Sequence, residues 1–330
     1  MKVVTLGEIL LRLSTVNNER LAHSSQLALH LGGCEANVAI SLANFGHEVA
    51  FVSKVPNHAM GFAAINQLKQ YGVDTRYVIK GGDRLGTYYL EQGVGIRSAK
   101  VIYDRANSSF AQITENEWST ELFTDVELFH VSGITCALSE NWPNLVIELI
   151  KLAKKAGCKV SFDINYRSKL WPYDQARRVL QVILPLVDYC SAGKLDAKYL
   201  LELPIEENTT TEDCYELISQ RFPNIKCFYA TNRKVHSASI NELQGMIWLQ
   251  GNYWESKNYY IDSIVDRVGG GDAFAAGILH GLMEKYDGQT VIDFATAASV
   301  LKHSIPGDCN QFSVEEVLEY LQSDSSRIVR

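Results

Sequence analysis

Short apolar runs alternate along this chain with helical segments that stop at glycine, and that alternation leaves few folds open. Val3–Leu6 runs into Gly7. Asn37–Phe45 has helical period and stops at Gly46, Val49–Val55 reads as a strand, and Met60–Tyr71 is helical and stops at Gly72. The unit recurs as strand Leu128–Ser132, helix Asn144–Ala156 ending at Gly157, strand Lys159–Asp163, helix Asp174–Leu184 and strand Asp188–Ser191. Parallel strands need such crossovers, and sheets covered on both faces need such apolar runs. The pattern predicts an α/β fold with a mostly parallel central sheet flanked by helices.

Two segments depart from it. Gly86–Gln92 and Ala99–Arg105 are rich in aromatic and β-branched residues and are joined by the turn-forming G-V-G-I-R-S. They predict a hairpin inserted into the α/β body, either a lid or an edge hairpin. No repeat, low-complexity tract or linker divides the 330 residues, of which 46% are hydrophobic. One domain over 1–330 is expected, with a small β-sheet lid contributed mainly by 84–107 and by part of 10–32.

Composition narrows the function. The net charge is −7 with no Lys/Arg-rich run, which argues against a nucleic-acid partner. No apolar run reaches the ~18 residues of a membrane span. The opening M-K-V-V-T-L-G-E-I-L is interrupted too soon for a signal peptide. Seven scattered cysteines without C-x-x-C fit reduced thiols and a cytoplasmic location. The histidines lack H-x-x-x-H spacing, so no zinc site is expected and metal ligands stay unassigned.

The stretch D-R-V-G-G-G-D-A-F, Asp266–Phe274, carries the chemistry. Gly269, Gly270 and Gly271 stand at the start of a helix expected over Ala273–Met283. Helix starts expose unpaired N–H groups and partial positive charge, and glycines let those amides close on an anion. That makes a phosphate cradle, suited to the charge of a transferring phosphoryl group. Asp272 would repel a bound anion unless it acts as a general base on an attacking hydroxyl. The local pattern equally allows it to be a helix cap. There is no G-x-x-x-x-G-K-[ST]. The G-x-G here has Phe274 at its third position and comes too late for a dinucleotide fingerprint.

With L-G-G-C-E-A-N-V-A, Leu31–Ala39, at the other end of the chain, this stretch resembles the signatures of the ribokinase-like, or PfkB, carbohydrate kinases. The likeness covers nearly the whole chain. G-E-I-L-L-R-L, the Y-D-R of Tyr103–Arg105, F-D-I-N-Y-R-S-K-L-W at Phe162–Trp171, K-H-S-I-P-G-D at Lys302–Asp308, and Arg267 are similar to the 2-keto-3-deoxygluconate kinase branch. The resemblance implies a ribokinase-like fold, ATP and Mg²⁺, and transfer of the γ-phosphoryl group to the 6-hydroxyl of 2-keto-3-deoxygluconate. Asp272 becomes the base and the Gly269–Gly271 backbone the anion hole.

A sugar acid needs a cation for its carboxylate, best an arginine fork. Strand alternation puts Tyr103 and Arg105 on one face of the lid, and Arg167 follows the strand that ends at Asp163. The residues alone leave a surface salt bridge open for each arginine; the resemblance places both against substrate. It also implies sugar contacts from Gly33, Asn37, Tyr89 (with Tyr88 as the alternative inward ring) and Asp308, and structural support from Glu35. Thr231, Arg233 and Ser239 are the implied nucleotide contacts. The family's N-x-x-E is replaced by Gly193-Lys194-Leu195-Asp196, which bears on Mg²⁺ use. A homo-oligomer, a dimer through the lid sheet, would cover that sheet's second face. The competing readings are a kinase of a neutral sugar such as fructose and a sugar-binding regulator without catalysis.

Overall fold

The computed structural model describes residues 2–322. Among them the expected α/β architecture is present. A ten-stranded sheet runs in the order Asn252–Glu255, Asn241–Leu249, Cys227–Val235, Tyr189–Ser191, Lys159–Asp163, Leu128–Ser132, Lys2–Leu6, Glu48–Val55, Val78–Lys80, with Tyr259–Ile261 pairing beside Asn241–Leu249. Pairing is parallel from Cys227–Val235 to Val78–Lys80. It is antiparallel among the strands from Cys227 to Ile261.

Strand alternation sends successive side chains into two separate cores. Val4, Phe129 and Phe162 face helices Trp142–Lys155 and Tyr173–Ile183. Val3, Phe51 and Leu128 face Cys34–Asn44, Gly270–Met283 and Gly288–Lys302. The strands read as continuous apolar runs because both faces are covered. The seven cysteines are unpaired thiols. Among the described residues no helix is long and apolar enough to cross a membrane.

A second, four-stranded sheet has the order Leu27–Gly32, Leu10–Thr15, Thr87–Glu91, Lys100–Asp104. The hairpin partners pair antiparallel, Tyr88 opposite Tyr103. Leu10–Thr15 joins the hairpin in parallel. This sheet lies over the C-terminal ends of the central parallel strands, where open α/β sheets form their binding crevice.

Several helices begin earlier than their sequence pattern indicates, among them the one expected at Asn37, which starts at Cys34. The helix expected at Asn144 starts at Trp142, because Pro143 sits in the first turn, where its missing N–H costs nothing. The helix expected at Ala273 starts at Gly270. Gly269 is its N-cap, in the left-handed region at φ 80°. Asp272 is therefore inside the first turn and is not the cap.

Candidate active site

The crevice between the sheets is a cleft of about 370 Å³. Its floor is made by the ends of central strands and by two helix starts. Glu8 follows Lys2–Leu6, Asp163 ends Lys159–Asp163, and Asn165 and Arg167 follow it. Gly33 and Asn37 open one helix, and Gly269, Gly271 and Asp272 open another. The lid adds Tyr88, Tyr103 and Arg105.

Asp272 faces Asn37, whose Nδ2 donates to its Oδ2 at 2.6 Å. The Asn37 amide is itself oriented, its Oδ1 accepting from the Gly33 N–H at 3.4 Å. Burial at the base of the cleft pushes the Asp272 carboxyl up to about 7. Asn37 opposes that rise, and the charges of Asp163, Glu35 and Asp308 add to it. A carboxyl tuned to neutrality is poised to take a proton from a hydroxyl. Gly33 cannot carry a side chain, since a Cβ would strike the Glu8 carbonyl oxygen.

The three glycines differ. At Gly269 a Cβ would strike the Asp308 carbonyl oxygen, and φ 80° favours glycine in any case. At Gly270 a Cβ would press on the His303 ring at 2.6 Å, and Gly270 does not line the cleft. At Gly271 a Cβ would meet nothing within 4 Å. Its backbone borders open space at the positive end of the helix, where an anion could approach.

The cleft holds four arginines with different partners. Arg105 is bound to Glu8, with Nε donating to Oε2 at 3.1 Å and Nη2 donating to the same oxygen. Glu8 also accepts from the Ser108 hydroxyl. Sequence reasoning missed Glu8; its signal was a carboxylate two residues beyond the first strand. Arg167, Arg233 and Arg267 form no ion pair among the described residues. Arg167 is exposed and donates to the Tyr166 carbonyl at 3.1 Å. Arg233 is pushed down by burial and by the neighbouring charge of Arg267. Two arginines set side by side without a carboxylate leave a place for an anion beside Gly269–Gly271.

Other sequence candidates fall less simply. Tyr88, not Tyr89, turns into the cleft, and its hydroxyl donates to Asp308 Oδ2 at 2.9 Å. Tyr89 is one residue on and points to the opposite face of the lid. Asp308 lines the cleft but is also held by Arg12, Nε to Oδ1 at 3.0 Å. Glu35 is buried and accepts from the Ser132 N–H, the Ser132 hydroxyl and the Thr135 hydroxyl. Thr231 lines neither this cleft nor its neighbour. Ser239 lines the neighbour, a cavity of about 330 Å³ that shares Arg267 and Val268 with the first. In the segment replacing N-x-x-E, Asp196 Oδ2 accepts from the Gly193 N–H at 2.8 Å and so caps its own helix. Burial pushes Asp196 up. It also pushes Asp163 up to about 6, against a hydrogen bond from Ser191 and the charge of Arg167.

A pfkB family carbohydrate kinase model matches residues 1–313. A crystal structure of a PfkB family carbohydrate kinase from Listeria grayi is 46% identical, with a TM-score of 0.95 over 98% of this chain and 100% of that one. The structure of 2-dehydro-3-deoxygluconokinase from Thermotoga maritima is 37% identical, with a TM-score of 0.95 over 98% of each chain. The 2-dehydro-3-deoxygalactonokinase of Haloferax volcanii is 30% identical over 100% of this chain and 99% of that relative. The fold, the glycine-led helix and these likenesses agree: the chain belongs to the PfkB family of carbohydrate kinases, phosphotransferases that act on an alcohol group.

Proposed function

We propose that this protein transfers the γ-phosphoryl group of ATP to the 6-hydroxyl of 2-keto-3-deoxygluconate. The observation that carries the reading is the division of charge across one cleft. Asp272 stands at its centre with a near-neutral pKa, Arg105 and Arg167 lie toward the lid, and Arg233 and Arg267 lie beside the glycine turn. The sugar carboxylate would meet Arg105 and Arg167, with Tyr103, Asn37 and the close backbone at Gly33 bordering the sugar. Tyr88 takes the place proposed for Tyr89, and Asp308 supports Tyr88 from behind. As the 6-oxygen attacks phosphorus, its proton passes to Asp272. The new O–P bond forms as the bond to the β-phosphate oxygen breaks, and ADP leaves. The Gly269 and Gly271 amides, aided by Arg233 and Arg267, would oppose the charge of the transferring group. Gly270 serves that turn by packing on His303. Thr231 and Ser239 remain the proposed contacts farther along the nucleotide.

The donor set fits ATP through its unpaired arginines and open glycine. Mg²⁺ carried with ATP would neutralise phosphate charge, and Asp163, which lines the cleft, with the neighbouring Asp196 behind it, would meet its hydration shell. The name of the Haloferax relative supports testing the C4 epimer, 2-keto-3-deoxygalactonate, alongside. The half-exposed Leu29 and Ile102 of the lid support a dimer through that sheet. Light scattering of Ile102→Glu would then report monomer where the parent reports dimer. The test of function is ATP consumption across both sugar acids, fructose and ribose. Turnover confined to the acids is expected; preference for fructose, or no turnover of any sugar, overturns the assignment.

A further inference from the structure

Lys302 ends the helix Gly288–Lys302, where a lysine would ordinarily reach into water. Here it is 0% exposed and lines neither cavity of the site. Burying an ammonium is costly unless its charge and donors are met. Among the described residues it forms no ion pair. Its Nζ donates instead to two main-chain carbonyls, Asp266 O at 3.5 Å and Ile305 O at 3.4 Å.

The charges around it balance. The carboxylates of Asp266 and Asp308 both act on Lys302, and both are held by the equally buried Arg12. Burial pushes Lys302 down, and the two carboxylates oppose that. His30, His303 and Cys309 also face this group; burial pushes the two imidazoles down and the Cys309 thiol up to about 12, so all three meet it uncharged.

One of the two carbonyls belongs to the segment that leads into the glycine turn, and the other to a segment that packs against it. Asp266 lies three residues before Gly269, and its side chain accepts from the Val268 and Gly307 N–H groups at 3.0 and 3.1 Å. Ile305 lies three residues before Asp308, whose carbonyl oxygen packs against the Gly269 α-carbon. The ammonium thus clasps both backbone segments that set the left-handed turn at Gly269.

We propose that Lys302 is a positioning residue whose ammonium acts as a tethered monovalent cation, holding the phosphate cradle in shape from behind through the Asp266 and Ile305 carbonyls. Carbonyl cages of this kind also accept K⁺ or NH₄⁺, cations of nearly the same size. With the lysine in place, no dissolved cation is needed there.

The inference rests on the kinase reading but not on which sugar is phosphorylated. Wild-type turnover of any sugar tests that reading first, and the variant is scored against it. Lys302→Met removes the ammonium and leaves an apolar chain one atom shorter, vacating the place of Nζ. Its kcat should fall roughly ten- to hundredfold, as expected for a displaced catalytic framework, with little change in sugar KM. Ammonium or potassium chloride should restore much of the loss, and tetramethylammonium chloride, too large for the cage, should not. Unchanged kcat, or a folded variant that no small cation rescues, overturns the proposal. If the variant does not fold, wild type decides: it should turn over equally with K⁺ or with tetramethylammonium as the monovalent cation, and a requirement for K⁺ overturns the proposal.

Discussion

Replacing Arg167 and Arg105 by alanine should give two distinct outcomes, because only one of these arginines already has a partner. Arg167 is exposed, forms no ion pair among the described residues and donates only to the Tyr166 carbonyl, so Arg167→Ala strands no ion-paired carboxylate in the free protein. In the complex, the sugar carboxylate would lose a charge-assisted hydrogen bond worth roughly 1.5–3 kcal/mol, or about ten- to hundredfold in kcat/KM. Arg105 is 10% exposed and bound to Glu8, which is 3% exposed. Arg105→Ala would therefore lose the substrate bond and also strand a buried carboxylate, a defect that costs about 3–5 kcal/mol of stability when one partner is removed. The assay is kcat/KM on 2-keto-3-deoxygluconate and on its neutral analogue with an aldehyde in place of the carboxylate, with thermal unfolding of each variant. Arg167→Ala should lose activity selectively on the acid with an unchanged Tm. Arg105→Ala should lose activity and several degrees of Tm, and Glu8→Gln should recover part of that Tm in the double variant. Equal losses of Arg167→Ala on acid and neutral analogue, or a Tm fall matching that of Arg105→Ala, would refute the reasoning.

Asp272→Asn should lower phosphoryl transfer by about 10²–10⁴-fold while leaving sugar binding intact, measured by turnover and by calorimetric titration. Because the Asp272 carboxyl is pushed up to about 7, the base is protonated at lower pH, and wild-type kcat/KM should fall on the acid side of about pH 7. The same raised pKa stabilises the folded state at acid pH, and that contribution is lost as pH rises through about 7. The Tm of Asp272→Asn relative to wild type should therefore increase from pH 5 to pH 8, and a constant difference would count against the shift. Gly271→Val should fold normally, since its Cβ meets nothing, yet lose most turnover by filling the cradle; retained activity would move the phosphate elsewhere. Gly193→Asn with Asp196→Glu should shift the Mg²⁺ titration of activity without changing sugar preference, and an identical curve would separate this segment from metal handling.

The sequence by itself determined what depends on local periodicity. Strands such as Leu128–Ser132 and Lys159–Asp163 were legible because both faces are buried, so every residue of the run is constrained. The glycine-led helix and the inserted hairpin were legible because backbone conformation there is set by a few adjacent residues. The strands Cys227–Val235 and Asn241–Leu249 were not legible as a sheet. Their ends are polar, and their order comes from antiparallel pairing with each other and with later strands. Nor could one chain segment reveal its distant electrostatic partner. The link from Arg12 to Asp266 spans 254 residues, and the pairing of Glu8 with Arg105 spans 97. Tertiary packing alone chose Tyr88 over Tyr89, gave the helix cap to Gly269 and freed Asp272 from that role. It also buried Lys302 behind the cradle. Side-chain direction and buried charge balance are set by the elements that close around a residue, and those lie far away in the chain.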